Sequence, residues 1–163
     1  MTVSIGLCNP KSASNVGSIL RAGGCFGIES VFFTGERFKH AKKYHSDTQD
    51  FQQGIPTHAV DDLLPVVPAG AKIIVIELVE GATPLPAFVH PESAFYIFGP
   101  EDGSVSQTLV DAADAVVYIP TFHNMNLAAT ANVVLYDRLS KSQYRHDDAL
   151  IRASRDNNNN LQR

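Results

Sequence analysis

Cysteine is scarce in this chain: Cys8 and Cys25 are the only two, and no CxxC spacing occurs. That excludes a disulfide framework and a cysteine-based zinc site. Both thiols are expected to be buried, as free cysteines commonly are. Long apolar runs are missing as well. None approaches the roughly 18 residues of a membrane span, and "MTVSIGLCNPKS" at the start lacks a basic-then-apolar leader. The expected location is therefore cytoplasmic. Charged residues make up only 18% against 44% hydrophobic, a balance that supports one packed core and excludes a disordered chain. The net charge of −4 argues against a surface coated for nucleic acid, yet it allows a local basic patch. "RFKHAKKYH" is such a stretch, with Arg37, Lys39, Lys42 and Lys43 beside Phe38 and Tyr44; by itself it reads as a solvated loop.

Several chemical signatures are also absent. There is no GxGxxG and no GxxxxGKS/T, which leaves a dinucleotide site or a phosphate-cradling loop unsupported. No HExxH occurs and the six histidines are scattered, so a zinc hydrolase is not indicated. Ser104 and Ser106 sit in "GSVSQ", which is not a GxSxG elbow; Ser104 reads instead as the N-cap of a following helix.

What is present is an alternation of strands and helices over 163 residues, a length that fits one domain. "VSIGL" at 3–7 reads as a strand, and the loop "CNPKSAS" leads into a helix that Ser14 or Asn15 can cap. Val16, Ile19, Leu20 and Phe26 recur near helical spacing, Gly23 and Gly24 weaken the helix, and Gly27 can end it. "SVFFTG" is a second strand, followed by a weak helix near 46–52 and a short strand at "THAV". "AKIIVIELVEG", "AFYIFG" and "AVVYIP" are buried strands, with the amphipathic "SVSQTLVDAAD" between the last two. Leu127, Ala131, Val134, Leu135 and Leu139 mark one face of a helix over about 126–142, and the tail 144–163 reads as partly disordered. Strands apolar on both faces predict a parallel sheet covered on both sides, with ligands beyond the carboxyl ends of its strands. Three such ends, "IELVEG", "IFGPEDG" and "YIPTFHNMN", carry most of the glycine, acidic and amide residues outside the basic stretch.

The candidate chemical residues are Asn15 and Arg21 in the first helix region, Glu101 after "YIF", and Asn124 and Asn126 before the last helix. Each has a plainer role: Asn15 and Asn126 as caps, Arg21 as a surface residue, Glu101 as a partner for backbone amides in its turn. As a set, however, "NPKSASNVGSILRAGGCFG", "IFGPEDGSVS" and "VVYIPTFHNMNLAATANVVLYDRL" closely resemble the three motifs of SpoU-type, TrmH-like methyltransferases of the SPOUT superfamily, over roughly residues 3–140. The short chain resembles the catalytic-domain-only members.

The resemblance implies an α/β fold, a parallel-sheet α/β/α sandwich with a C-terminal deep trefoil knot, in a domain spanning 1–143. It implies a homodimer, S-adenosylmethionine as methyl donor, no metal, and the ribose 2′-hydroxyl of tRNA or rRNA as acceptor. Cofactor contacts are then expected at Glu77, Leu78, Gly99, Ile119, Asn124 and Met125, with Leu78, Ile119 and Met125 enclosing the adenine. Arg21, Asn15, Glu101 and Asn126 are the implied catalytic set. Asn124 departs from the serine that many relatives carry, replacing a hydroxyl with an amide. A catalytically silent RNA-binding module with the same fold is the alternative, and a small-molecule enzyme on a doubly wound fold a more distant one.

Overall fold

The computed structural model describes residues 2–44, 54–144, 146–161 and 163. Among these residues seven strands form one sheet: β1 Val3–Leu7, β2 Ser30–Phe33, β3 Thr57–Ala59, β4 Lys72–Ile76, β5 Thr83–Pro84, β6 Ala94–Phe98 and β7 Ala115–Tyr118. Their order is β3-β2-β1-β6-β4-β7-β5, and every neighbouring pair is parallel. The parallel sheet expected from the doubly apolar strands is present. β5 is an addition, a two-residue strand too short to leave a hydrophobic pattern.

β6 shows why the sheet must be covered on both faces. All five of its residues are buried. Ala94, Tyr96 and Phe98 join one cluster with Val16, Ile19 and Leu20 of helix α1 (Ala13–Phe26) and Ala131, Val134 and Leu135 of α4 (Leu127–Ser140). Phe95 and Ile97 join the other, with Leu63, Val75, Val105 and Leu109, the last in α3 (Gln107–Ala112). Each fully buried Val, Ile, Leu or Phe among them stabilises by about 1.5–3 kcal/mol. The chain leaves β1 toward the α1 and α4 face and leaves neighbouring β6 toward the α3 face. In register, Leu7, Phe98 and Ile76 lie side by side, so the loops after β1, β6 and β4 start at one level.

The helices follow the sequence with instructive exceptions. α1 is capped by Ser12, whose hydroxyl accepts from Asn15 N at 3.3 Å, and not by Ser14 or Asn15. The Asn15 side chain is engaged elsewhere, as described below. Gly27 does end α1, in the left-handed region at φ 71°. Gly23 proves more than a weakness: a Cβ there would lie 2.6 Å from Ile55 Cδ1, so the glycine permits close packing. The basic stretch is helical, not a loop: α2 spans Arg37–Tyr44. Its anchor is Phe38, buried and edge-on to Phe33 with ring centroids 4.9 Å apart.

Ser106 rather than Ser104 caps α3, accepting from Leu109 N at 3.4 Å. Of the five apolar residues expected on one face of α4, four are buried, but Leu139 is exposed. Cys8 is half-buried and Cys25 exposed, against the expected burial of both. A short helix, α5 (Asp148–Ser154), lies in the segment read as tail; Asp147 caps it, accepting from Leu150 N at 2.8 Å. The helix expected near 46–52 falls outside the described residues. Among the described residues no helix is long and apolar enough to cross a membrane.

The C-terminal half of α4 is tied to the segment before β6 by a polar network. His90, almost wholly buried, has Nδ1 2.6 Å from the Tyr96 hydroxyl and Nε2 2.9 Å from Asp137 Oδ2. Lys141 donates to the same Asp137 oxygen, and Arg138 donates to the Pro91 and Glu92 carbonyls and to Tyr96. Burial lowers the His90 pKa below 6.5; the Asp137 hydrogen bond and charge oppose this, while Arg138 and Lys141 add to it. A histidine held neutral in the fold binds fewer protons than the unfolded chain, so its contribution is present above pH 6.5 and is lost as pH falls below it. Thermal melts from pH 7 down to pH 5 are expected to show a falling Tm, with a smaller slope in His90→Gln. Equal slopes in both proteins would remove His90 from this role.

Candidate functional site

A cavity of about 300 Å³ opens at the carboxyl ends of β4, β6 and β7. Glu77, Leu78, Gly99, Ile119, Asn124 and Met125, six residues drawn from three separate loops, all line it, together with Glu101. The volume is at the lower end for small-molecule sites, which span about 300–1,000 Å³. Leu78, Ile119 and Met125 supply apolar surface. Glu77 and Glu101 are the only charged residues among the lining ones, so the wall is electrically one-signed.

Local chemistry explains how the loops are held. Glu77 Oε1 accepts from Leu78 N at 2.8 Å and Oε2 from Val105 N at 3.2 Å, which ties the end of β4 to the loop after β6. A Cβ on Gly99 would lie 3.1 Å from Glu77 Oε2 and 3.4 Å from Val105 N. Any side chain there makes Glu77 give by a few tenths of an ångström, and a branched one by more. Cys8 stands behind this wall with its pKa raised to about 11, by burial first and by the Glu77 charge second. A thiol held protonated in this way is no nucleophile at neutral pH.

The Asn15, Glu101 and Asn126 side chains form one hydrogen-bonded chain. Asn15 Nδ2 donates to Glu101 Oε1 at 2.9 Å, and Asn126 Nδ2 donates to Asn15 Oδ1 at 3.0 Å. Asn126 Oδ1 accepts from Ala128 N and Ala129 N at 2.9 and 3.2 Å, so it also caps α4, a role worth about 1 kcal/mol. Glu101 accepts from Lys11 N at 2.8 Å and Ser12 N at 3.0 Å, joining the loop after β6 to the loop after β1. Burial alone would raise the Glu101 pKa; the hydrogen bonds from Asn15, Lys11 and Ser12 outweigh it and hold the value below 4.5. The carboxylate is thus ionised at neutral pH and fully engaged as an acceptor, which suits positioning better than proton abstraction.

Arg21 is not among the residues lining the cavity. It lies on the exposed face of α1 with Ser14, Ser18 and Cys25. Sequence reading also missed Tyr118 and Thr130, which line the cavity from the end of β7 and the first turn of α4. The available signal was their place in the sequence, Tyr118 as the first residue of "YIPTFHNMN" and Thr130 four residues after its end. Among the described residues no group of His, Cys, Asp and Glu could hold a metal ion.

A parallel α/β sheet covered on both faces, with a cavity at its strand ends, is the architecture of doubly wound α/β proteins, whose ligands bind at such ends. The sequence profile of the SpoU rRNA methylase family matches residues 2–136, and the chain belongs to that family. No curated protein matches it. Among solved structures, the TrmH/SpoU tRNA modifying enzyme of A. aeolicus is similar at TM-score 0.73 and 20% identity, covering 85% of this chain and 74% of that one. A structure concerned with 2-OH methylation of C/U34 on tRNA matches at TM-score 0.69 and 18% identity, over 86% and 95% of the two chains. The SpoU methyltransferase AviRb of Streptomyces viridochromogenes, in complex with AdoMet, matches at TM-score 0.70 and 18% identity. That match covers 86% of this chain but only 57% of AviRb. At these identities the likeness shows the fold.

Proposed function

We propose that this protein is an S-adenosylmethionine-dependent methyltransferase acting on a ribose 2′-hydroxyl of tRNA or rRNA. The observation that carries the reading is the make-up of the cavity wall. A sulfonium ligand is cationic and its adenosine half largely flat and apolar. Two carboxylates with no Lys, Arg or His among the lining residues suit the charge, and Leu78, Ile119 and Met125 suit the purine. Gly99 leaves backbone accessible beside them, and Asn124 adds an amide at the mouth. AdoMet in the related AviRb complex supports the same assignment.

When bound, the cofactor supplies a methyl group activated by positive sulfur. The chain's own task is to hold an acceptor oxygen in line with it, and such positioning provides much of the acceleration in displacement reactions. In this proposal Glu101 fixes Asn15, Asn15 fixes Asn126, and the three together hold the loops that shape the acceptor side. Arg21 binds an RNA phosphate and orients the ribose. A guanidinium protonated at neutral pH is a poor base, so proton removal is not assigned to it. Incubating the protein with labelled cofactor and total bacterial RNA tests the reading: label in RNA supports it, and RNA bound without label favours the silent module.

Two further expectations belong to the same proposal. Residues 1–143 form the methyltransferase domain, its C-terminal part threaded as a deep trefoil knot. The protein is a homodimer, for which α4 supplies Val133, Tyr136 and Leu139, exposed to 37%, 63% and 37% on one stripe beside α1. A twofold arrangement is the commonest solution for such a surface. Light scattering at micromolar concentration should give twice the chain mass for wild type and the chain mass for Tyr136→Glu. A monomeric wild type would contradict this.

A further inference from the structure

The Pro100–Gly103 turn faces two ways. Pro100, Glu101 and Gly103 line the cavity. Asp102 turns instead to the start of α2, where Arg37 Nη1 donates to Oδ1 at 2.9 Å and Nη2 to Oδ2 at 3.0 Å. Lys11 Nζ stands 3.5 Å from the same Oδ2. All three side chains meet solvent, Arg37 at 32%, Asp102 at 50% and Lys11 at 65% exposure. The Arg37 hydrogen bond holds Asp102 below the ordinary carboxylate range, so the contact is ionic at neutral pH.

This pair is not needed to place the turn. Glu101 already accepts from Lys11 N and Ser12 N, and Glu77 from Val105 N just beyond the turn. An exposed ion pair adds only about 0–1 kcal/mol of stability. What the geometry does is keep a planar guanidinium fork, with an ammonium beside it, aimed at two oxygens. Arginine takes a carboxylate and a phosphate with this same fork. Asp102 thus stands where the two unesterified oxygens of an RNA phosphodiester would stand.

We propose that Arg37 and Lys11 form a docking site for one backbone phosphate of the substrate RNA at the rim of the cavity, held closed by Asp102 in the free protein. Docking exchanges one anion for another on the same donors. The exchange makes RNA binding weaker and more reversible than the two cations alone would make it. The site rests on the reading that the chain acts on RNA. It also gives the basic start of α2 a function that composition alone left as a solvated patch.

The test is a titration of the full chain with fluorescently labelled total tRNA, repeated over a range of salt. Asp102→Asn is expected to tighten binding about three- to tenfold by removing the competing charge. Arg37→Ala should weaken it about tenfold and reduce the log–log salt slope by about 0.7–0.9, the share of one phosphate. In the double variant the gain from Asp102→Asn should shrink to the smaller share of Lys11. Cofactor affinity, read by calorimetry, should stay within twofold in all three. If the pair is only a structural tether, Asp102→Asn and Arg37→Ala will instead weaken RNA and cofactor binding together, and the proposal falls. It also falls, alone, if wild type binds tRNA and Asp102→Asn binds it no more tightly. A wild type that binds neither total tRNA nor, in the same titration, total rRNA overturns both the docking site and the functional reading beneath it.

Discussion

Arg21→Ala is expected to slow methyl transfer by roughly 10²-fold or more while leaving fold and cofactor affinity intact. Arg21 lies six residues after Asn15 on α1, a rise of roughly 9 Å, and outside the lining of the cavity. A side chain there is no part of the cavity wall, so its loss should spare a cofactor held in that cavity. It sits on the exposed face of α1, where the proposal has it grip a phosphate of the substrate RNA. Misplacing the acceptor by about 1 Å costs rates of that order, even when the residue lost is not at the reacting atoms. Arg21→Lys keeps the charge but loses the bidentate fork, and should restore RNA binding better than turnover. Single-turnover rates at saturating cofactor decide. Near-wild-type transfer by Arg21→Ala, with stability changed by no more than about 0.5 kcal/mol, would describe an ordinary solvated helix residue and remove Arg21 from the mechanism.

Gly99→Val is expected to lower cofactor affinity by about 100-fold or more. The first carbon of the new side chain meets Glu77 Oε2 at 3.1 Å, where that oxygen accepts the Val105 N–H at 3.2 Å. Valine adds two methyl groups to this contact, so Glu77 must swing away, and the tie between the β4 and β6 loops breaks with it. Gly99→Ala asks Glu77 to give only a few tenths of an ångström, and an intermediate loss follows. Calorimetry on the folded variants reads the series. Wild-type affinity in a folded Gly99→Val would show that the ligand lies elsewhere.

The parts of this fold that sequence reveals are those set by local hydrophobic pattern. β4 and β6 are nearly continuous apolar runs because both faces are covered, and that run is what implied a parallel sheet. β5, a Thr-Pro pair at the sheet edge, leaves no such trace. α2 was hidden by its basic composition, with Phe38 the one buried residue among those of its residues whose burial is described. The cap of α1 depended on a contact no local rule contains. Asn15 was free to cap by type, but Glu101, 86 residues away, claims its amide, and Ser12 takes the cap. The candidate cavity was legible in outline because ligand sites gather at strand ends. The link from Asn15 to Asn126 spans 111 residues, and spacing gives no hint of it; only the resemblance of three motifs grouped those residues in advance.

The activity proposed for this protein is transfer of a methyl group to RNA ribose. The most direct measurement incubates the purified protein with methyl-labelled S-adenosylmethionine and total bacterial RNA, digests the RNA to nucleosides and identifies the labelled species. Label recovered in a 2′-O-methylated nucleoside is the predicted result. Label confined to a methylated base, or RNA that binds the protein and stays unlabelled, would contradict it.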